Sequence, residues 1–138
     1  MTKQDSPGFG ATIDTPLDVA VERATAALKA EGFGVLTTID VRETMQQKLG
    51  VEMEPYIILG ACNPSLAYRG LQASPNLGLL LPCNVTVREI GGRSEVMAVD
   101  PELMLGIAGE NEELKSVAEE AGIRLRRVVA SLEDQATS

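Results

Sequence analysis

The two thiols are the residues best suited to chemistry. Cys62 stands in "ILGACNP". Twenty-one positions later Cys83 stands in "LLPCNV", and each is followed by an asparagine, Asn63 and Asn84. A thiolate can be a nucleophile, a redox centre or a soft metal ligand. Cys62 sits where an apolar stretch gives way to a helix start, and backbone amides with the helix dipole favour a thiolate there. Cys83 could then serve as its resolving partner. The opposing reading is packing, because a free cysteine is among the most buried residue types. The residues alone leave both open.

The sequence has no histidine, and its thiols do not form a Cys-x-x-Cys pair. We therefore assign no metal ligands, although two thiolates alone suit soft Cu(I). Arg69 is the only charged residue between Pro55 and Val87. A lone cation suits an anionic ligand or a subunit interface, or simply a stem lying on apolar surface. Asn63 and Asn84 suit a helix cap and a strand-start contact, or amides offered to a ligand. The carboxylates form no distinctive pair, and the chain lacks a P-loop, a Gly-x-Ser-x-Gly elbow and a Rossmann fingerprint. No catalytic residue and no cofactor is assigned. The candidate ligand-binding set is Cys62, Asn63, Arg69, Cys83 and Asn84.

These residues must be positioned by regular elements. "GFGATIDT" alternates, with Phe9, Ala11 and Ile13 on one face of a strand. Thr15-Pro16 reads as a cap followed by a helix over 16–31, with Leu17, Val21 and Leu28 on its apolar stripe. A strand over 33–40 has Phe33, Val35 and Ile39 on one face. Asp40 and Glu43 then fit a capping box for a helix with Val41, Met45 and Leu49 on one stripe. "YIILGAC" reads as a central strand, and Asn63-Pro64 starts a helix of about three turns. Residues 75–82 read as a linker with strand character. "CNVTVREI" and "RSEVMAVD" form a hairpin around Gly91-Gly92. A short turn over 101–107 and a long amphipathic helix over 110–132 close the chain, with Leu114, Leu125 and Val128 facing inward.

The hairpin makes the class α+β, a mainly antiparallel sheet of about five strands with helices on one face. The 138 residues suit a single domain, 1–138, with an ordered core of about 8–132 and polar tails at 1–7 and 133–138. The net charge of −8 and only four Phe and Tyr residues argue against a nucleic-acid partner. No apolar run resembles a signal peptide or membrane span, so we expect a cytoplasmic protein without a membrane partner and with reduced thiols. The middle third, nearly uncharged, suggests a homodimer.

The stretches "KLGVEMEPYIILGACNP", "LAYRGL" and "GLLLPCNVTVRE" resemble the domain-of-unknown-function 302 family. That resemblance implies a fold like that of the TATA-box-binding protein, with a curved sheet, and a dimeric state. It implies no activity. Where this chain has Tyr68, the family pattern often has His, so no site here relies on an imidazole. Three functions remain in view. The first is a small binding or accessory domain with a pocket near Cys62 and Cys83 for a small anionic or thiol-reactive ligand. The second is a thiol-dependent redox protein or sulfur carrier using the same pair. The third is a structural dimer without a small ligand.

Overall fold

The protein is described by a computed structural model for residues 3–5, 7–107 and 109–137, with side chains from 7 to 133 apart from 108. Residues 1, 2, 6 and 138 of the expected tails lie outside the described residues. The elements run β1 (Lys3–Asp5), β2 (Gly8–Ile13), α1 (Leu17–Ala30), β3 (Gly34–Asp40), α2 (Val41–Leu49) and β4 (Tyr56–Cys62). There follow α3 (Pro64–Ala73), a 3-10 helix (Pro75–Leu80), β5 (Cys83–Ile90), β6 (Arg93–Val99), α4 (Pro101–Gly106) and α5 (Glu112–Thr137). All six strands join one sheet in the order β1-β2-β6-β5-β4-β3, and every neighbour pairs antiparallel. The α+β class and the antiparallel sheet agree with the sequence reading. The added strand is β1, three residues of the expected N-terminal tail that pair with Gly8–Gly10. At the other end α5 continues beyond residue 132 to Thr137.

One face of the sheet carries the core. Phe9, Ala11 and Ile13 of β2, Val85 and Val87 of β5 and Val96 of β6 are all buried there. They lie beneath α1 and α5, as period-two alternation against two amphipathic helices requires. Leu28, Leu114, Leu125 and Val128 are buried, while Leu17 and Val21 pack at the edge of the same core. The Gly91-Gly92 turn has φ of 59° and 81°, the twin positive values that a two-residue hairpin demands and that glycine adopts without strain.

Three local expectations need correction. Thr15 does not cap α1. Pro16 occupies the cap position, and the Leu17 N–H donates instead to Glu89 Oε1 of β5 at 2.7 Å. Thr15 Oγ1 is buried without a hydrogen-bond partner. Phe33, Val35 and Ile39 do not share a face, because a register shift between Val35 and Thr37 inserts an extra residue. Phe33 is buried, whereas Ile39 is exposed. Residues 75–82 contain no strand: the 3-10 helix occupies most of the segment and a cis Leu81-Pro82 bond completes it.

The Asp40 cap forms where expected, its Oδ1 accepting from Glu43 N at 2.9 Å, and Asp100 caps α4 in the same way, its Oδ1 accepting from Glu102 N at 3.0 Å. The Arg124, Arg126 and Arg127 cluster fastens α5 to the rest of the fold. Arg124 donates to the Glu31 carbonyl just past the end of α1, at 3.0 Å. Arg127 pairs with the Glu31 carboxylate, and Arg126 lies 4.2 Å from the Phe9 ring centre.

Candidate functional site

The end of β4 and the start of β5 meet because the two strands are antiparallel. Ala61 is the register partner of Cys83, and Cys62 is the next and last residue of β4. The two cysteines therefore stand on neighbouring strand ends, one residue out of register, an offset that turns their side chains to opposite faces of the sheet. Both residues border a cavity of about 30 Å³. Its walls come from β4, α3, the 3-10 helix, α4 and α5, and include Phe33, Leu66, Leu77, Met104 and Val117. The wall is apolar apart from Asn63 and the sulfur atoms.

Asn63 is buried and acts as the cap of α3: its Oδ1 accepts from Leu66 N at 3.2 Å. Pro64 follows at the first helical position, as the sequence suggests. Gly70 of α3 gives Leu77 its place, since a Cβ there would collide with Leu77 Cδ2. The helix and the 3-10 segment thus close over the strand ends as one packed unit.

The other two members of the sequence-derived set lie elsewhere. Asn84 pairs with Gly60, alternates with Cys83 and is exposed, so its amide leaves the sheet on the side opposite the core. Arg69 reaches α5, where its Nε donates to Glu113 Oε1 at 2.9 Å and an Nη donates to Ser116 Oγ at 3.2 Å. Glu120 approaches it to 3.8 Å. The cation that stood alone in sequence is thus neutralised by carboxylates forty or more positions away.

The electrostatics of the thiols run against nucleophilic activation. Burial raises the Cys62 thiol above its ordinary value. Burial, and then the neighbouring Cys62, push the Cys83 thiol up to about 11. The helix start does not prevail at Cys62, because the Asn63 side chain already takes the Leu66 N–H. Both groups are protonated at neutral pH. Among the described residues no three His, Cys, Asp or Glu side chains gather as a metal-binding cluster. Met104 was missed in the sequence reading, which assigned 101–107 only to a turn. It lines the cavity and packs against the core.

A larger open depression of about 450 Å³ lies between α4 and α5, edged by Glu102, Glu110, Glu112 and Glu119. Its acids are exposed, and it touches none of the five candidate residues.

The family described as "Domain of unknown function DUF302" matches residues 9–132. This chain belongs to the DUF302 family. Among solved structures it is similar to the uncharacterized conserved protein DUF302 from Bacillus stearothermophilus. The two share 30% identity over 91% of this chain and 98% of that one, with a TM-score of 0.82. No curated protein matches the chain. The DUF302 match spans both cysteine stretches and the hairpin, so the cavity lies wholly within the shared domain. Among the described residues no helix is long and apolar enough to cross a membrane.

Proposed function

We propose that this DUF302 chain is a small binding domain that holds a thiophilic ligand of atomic or few-atom size in the cavity bordered by Cys62 and Cys83. The observation that carries the reading is the cavity itself, small, apolar and bordered by both cysteine residues, with the Cys83 side chain on the core face of the sheet. A volume of about 30 Å³ is roughly one water's share of the liquid, too little for a metabolite of ordinary size. An anionic ligand is disfavoured, because no cation lines the cavity and Arg69 is already paired with Glu113. Redox catalysis by a poised thiolate is disfavoured by the upward shift of both thiols. Native mass spectrometry of protein from its own host tests the reading. An adduct of sulfane sulfur, a metal ion or another few-atom group should be present and should vanish in Cys83→Ser. Protein of unmodified mass under every growth condition defeats it.

Two further inferences accompany this one. The open antiparallel sheet with α1 and α5 on one face supports a fold like the TATA-box-binding protein's, without a nucleic-acid role at a net charge of −8. Self-association is favoured by exposed apolar side chains around β3 and α2, namely Leu36, Ile39, Leu49 and Val51. One domain and a cytoplasmic setting with reduced thiols complete the proposal.

A further inference from the structure

Resting on the self-association reading above and deepening it, we propose that the open face of the sheet packs on the same face of a second copy, sheet on sheet about a two-fold axis. The strand registers set Gly10, Met97, Thr86, Ile58 and Ile39 directly opposite one another on five consecutive strands, from β2 to β3. Opposite residues share a face. These alternate with the buried Ala11, Val96, Val87 and Leu59, so the row crosses the side turned away from α1 and α5. An antiparallel sheet that faces water is usually polar on that side. Here the row is apolar except for Thr86. Ile39 keeps 47% of its surface in water, and Met97, Thr86 and Ile58 are only half-buried, so no element of this chain seals the row. The relief suits a flat partner. Gly10 and Gly60 bring no side chain to this face, and a Cβ at either would collide with Met97 or Thr37, which already lie across them.

Charge selects a second copy as that partner. The chain as a whole carries −8. The charges around the row pair among themselves: Arg88 with Glu95 at 3.0 Å and Glu54 at 3.8 Å, and Arg93 with Asp14 at 3.8 Å. Two arginines against three carboxylates leave this side almost neutral. Two copies can therefore meet here with little of the repulsion that their acidic surfaces would otherwise bring. A basic partner would instead be drawn to the acids between α4 and α5. Area agrees with this choice. Five strands present a surface roughly 24 Å across and 17 Å along, on the order of 400 Å². Specific interfaces begin at about 600 Å² per partner. Leu36 of the edge strand β3, with Leu49 and Val51 just beyond it, adds exposed apolar surface toward the difference.

The test uses the full chain. In sedimentation at micromolar concentration the wild type should be a dimer. Thr86→Glu and Met97→Glu should each weaken association by at least about a hundredfold, because each buries an unpaired carboxylate in both halves of the contact. Melting temperatures check that the variants fold. Magnetic resonance on a mixed dimer, one copy labelled at its methionine and isoleucine methyls, gives a reading that needs no substitution. Stacked sheets about 10 Å apart interdigitate their side chains, so Overhauser effects should join Met97 or Ile58 to the row of the other copy. A dimer without these effects overturns the proposal, whether or not a variant fails to fold. A folded Thr86→Glu that stays dimeric, beside a monomeric Leu49→Glu, overturns it too and leaves self-association through β3 and α2 standing. A monomeric wild type defeats both.

Discussion

Cys83 is only 8% exposed, and burial holds its proton up to about pH 11. The folded state therefore keeps a proton that the unfolded chain releases near its ordinary value of 9.0. Stability contributed by this group is complete below pH 9.0 and is lost as pH rises toward 11. Two pKa units correspond to roughly 2–3 kcal/mol by the top of that window. Thermal melts across pH 8–11 should show the decline, and Cys83→Ala should flatten it; parallel curves for the two proteins would contradict this account. Alkylation gives a second check. Cys62 is partly exposed and should react with iodoacetamide first, with Cys83 protected until the fold opens. Equal rates in the folded protein would mean that the cavity wall does not shield Cys83. At this scale the sequence was readable where chemistry follows from local order. The placing of the two cysteines at neighbouring strand ends followed from antiparallel strands, and the Asn63 cap followed from Asn-Pro. The partners of Arg69 were not readable, because Glu113 and Glu120 reach it only after α5 packs on α3.

The helices differ in how their ends are satisfied. A local side chain caps α2, α3 and α4, but α1 depends on Glu89 from a strand seventy-two residues away. Glu89→Ala should cost about 1 kcal/mol, the usual value of a lost cap. Thr15→Val has the more telling sign. If Thr15 were the cap, the change would destabilise by a similar amount. Its hydroxyl is instead buried and unpartnered, so the substitution should leave stability unchanged or raise it by up to about 1 kcal/mol. Urea denaturation of both variants checks the pair, and a destabilised Thr15→Val would restore the local cap. Periodicity marked the extents of α1, β4 and the hairpin closely, because burial on one face leaves a periodic trace. It did not reveal the shift in β3, where an extra residue changes face without changing composition, nor the 3-10 helix, whose "PNLGLL" is as apolar as a strand.

At the scale of the whole molecule, apolar surface remains uncovered along β3 and α2. No residue of α2 is buried, and Leu36 and Leu49 keep 67% and 68% of their surface in water. Sedimentation at micromolar concentration should show a two-fold dimer, and Leu49→Glu should shift it toward monomer without changing the melt. A single monomeric boundary for the wild type would mean that this surface serves another partner or none. The sequence pointed to the uncharged stretch 55–87 as the adhesive region. Much of that stretch instead supplies the core strands and the cavity wall, because a run without charge is also what an interior strand looks like.

The placement of β2 has a consequence for how the chain is made. β3, β4, β5 and β6 pair each with the next and can zip together as they emerge. β2 is synthesised before all of them, yet its long partner is β6, whose residues 94–99 complete the register from Ile13 back to Gly8. Phe9, Ala11 and Ile13 must therefore wait without their β6 partners until the hairpin turn has left the ribosome, several seconds at about 5–20 residues per second. Until then the half-built sheet has an open edge at β6 and a loose apolar strand of its own to fill it, so β2, made before β3 to β6, is locked into the sheet after them.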